Sequence, residues 1–272
     1  MTAIDISGLA PPLMAAAHRA GGLVMDHYRN GGPVQRKADA SPVTAADLAS
    51  EGVILAALAE LTPGIPVISE EAAAGGNMPE TGDLFFLVDP LDGTKEFIAS
   101  RPEFTINIAL IRNGEPCFGL IYAPATDELY FTRSEGEAVS ATLSCGRPLP
   151  EWPAMAFAPM RSRKPPEDGL VAAISRSHLN DATTRFLADH DVTSTLSAGS
   201  SLKFCLLAAG KADVYPRLGP TMEWDTAAGD AILRAAGGIV LAETGGPLAY
   251  GKRDSGYRNP GFVAWGRNPS PA

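Results

Sequence analysis

The first sixty residues alternate apolar and polar positions at helical spacing, which predicts two helices. Residues 9–28 place small and apolar side chains on one helical face, and a second helical stretch ends near Leu61. Thr44 stands before that stretch and Asp47 lies three positions later, the arrangement of a capping box. We therefore expect the second helix to begin directly after Thr44.

The middle of the chain contains short apolar runs that predict strands. Residues 65–69 and 84–88 are two such runs, and each leads into acidic residues. Residues 72–83, rich in Ala, Gly and Pro, are expected to form a loop. Turn residues separate three further runs, which predicts an antiparallel meander over residues 104–111, 117–122 and 128–132.

The pattern changes after a proline-rich, basic stretch at residues 148–166. Beyond it, predicted strands alternate with predicted helices, which favours a layered α/β arrangement. The strands are expected at 171–174, 212–215 and 239–242, and the helices at 181–190, 202–209 and 224–236. We therefore predict two units: residues 1–150 form an N-terminal α+β half, and residues 151–272 form a C-terminal α/β half that completes the site. The last residues, 267–272, are expected to be frayed.

Composition narrows the class of protein. The 272 residues are 45% hydrophobic and 19% charged, as in ordinary globular proteins. A net charge of −9 argues against a nucleic acid polymer as partner, because duplex binding needs basic side chains. The three cysteines form no CxxC, so neither a zinc site nor a disulfide framework is expected, and a reducing cytoplasm is the simplest interpretation. No run of about eighteen apolar residues occurs, so no transmembrane segment is expected.

The most informative segment is Asp-Pro-Leu-Asp-Gly-Thr at residues 89–94. Pro90 fixes φ and removes a backbone donor, so we expect the chain to turn there. The two aspartates, Asp89 and Asp92, and the carbonyl of Leu91 could then face one point, as oxygen ligands of Mg²⁺ do. The alternative for this segment alone is an Asx turn with capping aspartates.

The residues after this turn and two other acidic positions extend the candidate site. Gly93 and Thr94 present backbone N–H groups at a predicted helix start, where phosphate binds readily. Glu70 ends a predicted strand, and Asp225 begins a predicted helix. Each has an ordinary alternative, since adjacent glutamates are usually solvated and an aspartate at a helix start is usually a cap. Together, three acidic clusters at the ends of elements predict a two-metal site. The absence of the GxxxxGK[ST], HExxH and GxSxG motifs argues against P-loop, zincin and serine hydrolase chemistry.

Residues 89–94 and Trp-Asp-x-Ala-Ala-Gly at 224–229 resemble the two signature motifs of the inositol monophosphatase superfamily. Further segments resemble its CysQ-type 3′(2′),5′-bisphosphate nucleotidases: residues 41–47, 95–97, 175–178, 199–205 and 212–217. The resemblance implies an α/β (α+β) fold, a layered αβαβα sandwich with the cleft between its halves. It also implies Mg²⁺-dependent, Li⁺-sensitive hydrolysis of the 3′-phosphate of adenosine 3′,5′-bisphosphate (PAP), with two or three Mg²⁺ ions per site.

The same resemblance implies roles for individual residues. The implied metal ligands are Glu70, Asp89, Leu91 through its carbonyl, Asp92 and Asp225. The implied catalytic residues are Glu70, Thr94 and Asp47, with Thr94 positioned by Asp47. The implied substrate contacts are Leu91, Asp92, Gly93, Thr94, Ser200, Lys203, Arg217 and Asp225, with His178 a weaker candidate. Lys37 would lie near the metals, and Glu71 would support them without binding them directly.

Two alternatives stay open at this point. One is an inositol or sugar phosphate phosphatase of the same superfamily, and the other is a non-catalytic sensor that binds phosphonucleotides. Lys95, Lys203 and Arg217 favour a substrate with a second phosphate, and the complete set of carboxylates favours an enzyme. The resemblance further implies a nucleotide partner (PAP, with its sulfated form PAPS as a second candidate) and a role in clearing a by-product of sulfate assimilation. A monomer or a homodimer is expected, in the cytoplasm, with peripheral association at the inner membrane face as an alternative.

Overall fold

The computed structural model describes residues 5–31, 33–36, 42–176 and 179–267. In these ranges the α-helices are α1 (Ile6–Asn30), α2 (Ala45–Leu61), α3 (Glu70–Ala74), α4 (Thr94–Ile98), α5 (Asp181–Asp189), α6 (Leu202–Ala208) and α7 (Glu223–Ala235). The strands of the first half are β1 (Val34–Arg36), β2 (Pro42–Thr44), β3 (Val67–Ser69), β4 (Leu84–Asp92), β5 (Thr105–Arg112), β6 (Glu115–Ala123), β7 (Glu128–Ser134), β8 (Glu137–Thr142) and β9 (Ala158–Met160). The later strands are β10 (Leu170–Ser175), β11 (Val192–Ala198), β12 (Val214–Arg217), β13 (Thr221–Met222), β14 (Ile239–Ala242), β15 (Arg258–Asn259) and β16 (Phe262–Trp265).

Strands β3 to β9 form one sheet in sequence order. The pair β3–β4 is parallel and every other neighbouring pair is antiparallel, so the predicted meander is confirmed as β5, β6 and β7. The structure adds β8 and β9, which sequence reasoning missed. Because β9 pairs with β8, this sheet continues past residue 150, and the division of the chain into two halves there stays a prediction.

A second sheet has the strand order β11-β10-β12-β16-β14. Its β10 pairs in parallel with β11 and β12, whereas β16 is antiparallel to both β12 and β14. Two small antiparallel pairs, β1–β2 and β13–β15, complete the described strands. The edge strand β11 was not predicted, because most of its side chains are exposed and it lacks an apolar run.

Side chains of β4 explain how the layers stack. Phe86 and Val88 pack with α1 and α2 on one face, while Phe85 and Leu87 pack with α6 and α7 on the other. The second sheet lies beyond α6 and α7, and its residues join the same core cluster. Beyond it α5 contacts Trp265 of β16 through Phe186. The layers therefore follow the order αβαβα, as predicted.

Helix ends follow local capping chemistry. Asp5 accepts a hydrogen bond from Ser7 N at 3.0 Å, so α1 begins before the predicted residue 9. The capping box predicted at Thr44 and Asp47 is confirmed. The loop predicted over 72–83 is wrong at its start, because Glu70–Ala74 forms a short helix. None of the described helices is long and apolar enough to cross a membrane.

Candidate active site

A cleft of about 280 Å³ opens where the end of β4 meets the turn before α6 and the first turn of α7. Apart from the weaker candidate His178, every residue that the sequence predicts as a metal ligand or substrate contact lines it: Glu70, Asp89, Leu91, Asp92, Gly93, Thr94, Ser200, Lys203, Arg217 and Asp225. Lys95 lines it too, and Asp47 lies directly behind Thr94. The structure thus brings together residues far apart in the sequence. Lys37 and His178, two weaker candidates, lie outside the described residues.

A β-bulge in β4 places the two aspartates of residues 89–94 on one side of the sheet. Asp89 pairs with Asn107 and Asp92 pairs with Thr105, so β4 has one residue more than β5 between these pairs. In a regular strand, residues three apart would point to opposite faces. The extra residue restores both carboxylates to the same face. The strand therefore continues to Asp92 through a bulge, where the sequence suggested a plain turn at Pro90.

Four carboxylates form a cluster in this cavity (Glu70, Asp89, Asp92 and Asp225), and Glu96 lines the cavity as well. Asp89 is buried, and its pKa is raised well above its usual range by that burial and by the negative charges of Glu70, Asp92 and Asp225. Burial, followed by the charges of Asp92 and Glu70, also raises the pKa of Asp225. Such a cluster is costly while its charges stay uncompensated, and a divalent cation would compensate them.

The donor atoms suit Mg²⁺. Carboxylate oxygens and the Leu91 carbonyl are hard ligands of the type that Mg²⁺ prefers. Among the described residues no three His, Cys, Asp or Glu side chains converge into a ready-made metal cluster. Glu70, Asp92 and Asp225 nevertheless lie close enough to Asp89 for their charges to raise the pKa of its carboxyl group.

Thr94 and Asp47 form the second part of the site. Thr94 Oγ1 lies 3.3 Å from Asp47 Oδ1 and 3.3 Å from the carbonyl oxygen of Leu91. Asp47 Oδ2 accepts hydrogen bonds from Thr44 N at 2.8 Å and from Thr44 Oγ1 at 2.7 Å. The capping box of α2 therefore fixes the carboxylate that faces Thr94.

Gly93 must be a glycine for the chain to pass from β4 into α4. Its φ is 95°, in the left-handed region that disfavours other residues. A Cβ at this position would also lie 3.1 Å from the carbonyl oxygen of Glu103. Glycine therefore lets Thr94 follow the bulge immediately.

Two cations line the part of the cavity formed by α6 and β12, which we call the cationic side. Lys203 is buried, and its ammonium contacts the carbonyl oxygens of Ala198 and Ser200. Burial lowers the pKa of Lys203 to about 8, while the nearby Asp92 opposes that shift. Arg217 lines the same side at the end of β12. Lys203 is thus tied to the turn before α6 as well as facing the cavity, and its direct contact with substrate stays a prediction.

The face of α2 that carries Asp47 supports two more segments of the site. Ser50 donates a hydrogen bond to the carbonyl oxygen of Pro90 at 2.7 Å. Glu51 accepts hydrogen bonds from Glu71 N at 3.2 Å and from Ala72 N at 3.1 Å, which fixes the turn after Glu70. Sequence reasoning missed both residues, although their spacing of three and four from Asp47 places them on one helical face.

The motif at residues 224–229 has a packing role beside its acidic residue. Asp225 Oδ2 accepts a hydrogen bond from Met222 N at 2.8 Å, which closes the first turn of α7. A Cβ on Gly229 would lie 2.3 Å from a ring carbon of Phe204. The small residues of the motif therefore let α7 lie close to α6, which brings Asp225 to the cavity.

The chain belongs to the inositol monophosphatase family, whose pattern it matches over residues 5–266. Among its relatives, it is 45% identical to the 3′(2′),5′-bisphosphate nucleotidase CysQ of Salmonella typhimurium, over 90% of this chain and 95% of that protein. Identity is 44% to the protein of the same name from Escherichia coli K12, with the same coverage. The crystal structure of CysQ from Bacteroides thetaiotaomicron matches with a TM-score of 0.80 and 39% identity, over 96% of this chain and 98% of that one. The predicted family and fold are confirmed.

Proposed function

We propose that this protein is a Mg²⁺-dependent phosphatase that hydrolyses the 3′-phosphate of PAP to give AMP and phosphate. The observation that carries the proposal is one cavity that joins a carboxylate cluster to the cations Lys203 and Arg217. A metal-bound phosphate suits the first group, and a second phosphate suits the other. The relatives named as bisphosphate nucleotidases support the nucleotide as substrate.

The acidic side of the cavity fits two or three Mg²⁺ ions. Glu70, Asp89 and the Leu91 carbonyl would hold one ion, and Asp89, Asp92 and Asp225 would hold another. When bound, Mg²⁺ would supply Lewis acidity, which favours loss of a proton from the attacking water and compensates negative charge on the phosphoryl group.

The protein's own groups orient the attacking water. Thr94 donates its proton towards Asp47 or Leu91, which leaves the lone pairs of Oγ1 to accept a hydrogen bond from water. Glu70 lines the same cavity and would accept the water proton. The water oxygen then bonds to phosphorus, the P–O3′ bond breaks, and the 3′-oxygen leaves with a proton from solvent.

The cationic side would hold the second phosphate and select the substrate. Arg217 offers a planar set of N–H donors that matches phosphate oxygens, and Lys203 adds positive charge behind the turn at Ser200. The sulfated form PAPS carries an anionic group at the same end, so we propose it as a second substrate. The oligomeric state and a cytoplasmic or membrane-peripheral location stay predictions.

Phosphate release from PAP and from inositol 1-phosphate tests the proposal, each with Mg²⁺, with EDTA, and with Mg²⁺ plus Li⁺. We expect fast release from PAP only, abolished by EDTA and inhibited by Li⁺, with 5′-AMP as the nucleotide product. Preference for the inositol substrate would refute the role of the cationic side while keeping the metal chemistry. Tight binding of PAP without turnover would instead support the sensor alternative.

A further inference from the structure

A buried chain of hydroxyl and amide side chains joins β5 to the turn before α6. Thr105 Oγ1 donates a hydrogen bond to Asn107 Oδ1 at 2.9 Å and lies 2.8 Å from Ser200 Oγ. Asn107 Nδ2 donates to Ser201 Oγ at 2.9 Å. Only 1% of Asn107 is exposed, and Thr105 and Ser201 are also buried. This series of hydrogen-bonded side chains therefore links the large sheet to the layer that contains α6 and α7.

This network ends on two of the acidic residues of the cavity. Ser201 Oγ lies 2.8 Å from Asp92 Oδ2 and 2.8 Å from the carbonyl oxygen of Asp225. Asn107 Nδ2 approaches the same Asp92 Oδ2 at 3.3 Å, and Ser200 Oγ donates to the Asp92 carbonyl at 2.9 Å. Ser201 Oγ and Asn107 Nδ2 thus both approach Oδ2 of the Asp92 carboxylate, which leaves Oδ1 for the cavity.

The chemistry of these groups fixes the orientation of the Asn107 amide. The Asp92 carboxylate can only accept, so the amide nitrogen must face it. The amide oxygen then faces the hydroxyl of Thr105, which donates to it. Asn107 supplies two donors and one acceptor at once, and neither leucine nor aspartate of similar size can do so.

We propose that Asn107 is a positioning residue, which acts with Ser201 to hold the Asp92 carboxylate in register with the first turn of α7. The proposal rests on the proposed function, in which Asp92 and Asp225 share a metal ion. Groups that orient a ligand commonly change metal affinity about ten- to a hundredfold when they are removed. The effect should therefore appear in metal binding before it appears in the chemical step.

The test is a titration of the EDTA-treated protein with Mn²⁺ alone, followed by the electron paramagnetic resonance signal of the free ion. Asn107→Leu, Asn107→Asp and Ser201→Ala should each weaken Mn²⁺ binding about tenfold or more. In phosphate release, the Mg²⁺ concentration for half-maximal rate should rise by a similar factor. Saturating Mg²⁺ should restore most of kcat, which a general loss of structure would not allow.

Two threonines provide a matched control. Thr105→Val breaks the network and should weaken Mn²⁺ binding, whereas Thr132→Val removes a buried hydroxyl that makes no hydrogen bond and should leave it unchanged. Melting curves in EDTA identify the variants that fold. If Asn107→Leu does not fold, Ser201→Ala takes its place in the titration. Wild-type Mn²⁺ affinity in folded Asn107 and Ser201 variants would overturn this inference alone. Failure of the wild-type protein to bind Mn²⁺ would overturn the proposed function and this inference with it.

Discussion

Thr94 Oγ1 lies 3.3 Å from Asp47 Oδ1, while the other oxygen of that carboxylate closes the capping box of α2. The Asp47 side chain therefore caps the start of α2 and also contacts Thr94 at the end of the cavity where the reaction is proposed. These two duties can be separated by substitution, because Thr44 takes part only in the first and Thr94 only in the second.

Substitutions of these three residues should divide stability from rate. Thr94→Val should lower kcat by about a hundredfold, since it removes a group that orients the attacking water, and should leave stability nearly unchanged. Thr44→Ala should cost about 1 kcal/mol in the free energy of unfolding and little activity, because Thr44 N still holds Asp47 Oδ2. Asp47→Ala should lower both kcat and the free energy of unfolding. Urea unfolding and steady-state kinetics measure the two effects. Full activity in Thr94→Val would remove Thr94 from the mechanism.

Asp89→Asn should abolish metal-dependent turnover, with a loss of more than about a hundredfold, because Asp89 would serve two ions. The same substitution should raise or preserve the melting temperature in EDTA, since it removes one of four like charges around the cavity. Thermal melts with and without Mg²⁺ test this, and Mg²⁺ should stabilise the wild-type protein much more than the variant. Near-normal turnover by Asp89→Asn would refute the metal assignment.

The pH dependence of substrate binding should report Lys203. Its ammonium is charged below a pKa of about 8, which burial lowers, and loses its charge as the pH rises through that value. The KM for PAP should therefore increase above about pH 8, by about tenfold per pH unit at most. Lys203→Met should show the higher KM at every pH without this rise. A flat wild-type KM between about pH 7 and pH 9.5 would contradict the prediction.

Arg217→Met should change which substrate is preferred. The loss of donors to the second phosphate should raise the KM for PAP by about ten- to a hundredfold, while hydrolysis of 3′-AMP should change little. Arg133→Met, on the exposed surface of β7, is the control and should behave as the wild-type protein. Equal losses on both substrates would place Arg217 in the general structure of the site and remove it from substrate selection.

Features with a local cause could be predicted from the sequence, the start of α2 to the residue and the strands of the meander to within two residues. The start of α2 follows from Thr44 and Asp47, which cap a helix wherever they occur at this spacing. The meander β5–β7 follows from apolar runs and turn residues. The carboxylates were found because they stand at the ends of such elements.

Features that depend on distant partners could not be predicted. Asn107 donates its hydrogen bonds to residues 15 and 94 positions away, and its only sequence signal is a polar residue inside an apolar strand. The bulge at Pro90 is visible only from the pairing with β5. Strand β11 forms through its pairing with β10, and its own residues contain no local pattern that predicts a strand.

The extra residue in β4 makes chain length part of the chemistry. Adding one residue to β5 between Thr105 and Asn107 would match the count on β4 and allow a regular ladder between the two strands, yet Asp92, three positions after Asp89, would then turn to the opposite face, towards α1 and α2. A variant lengthened in this way would keep every acidic residue of the site and still lack the site. Surveys that exchange one amino acid for another leave this dependence invisible, because it lies in the count of residues and not in their identity.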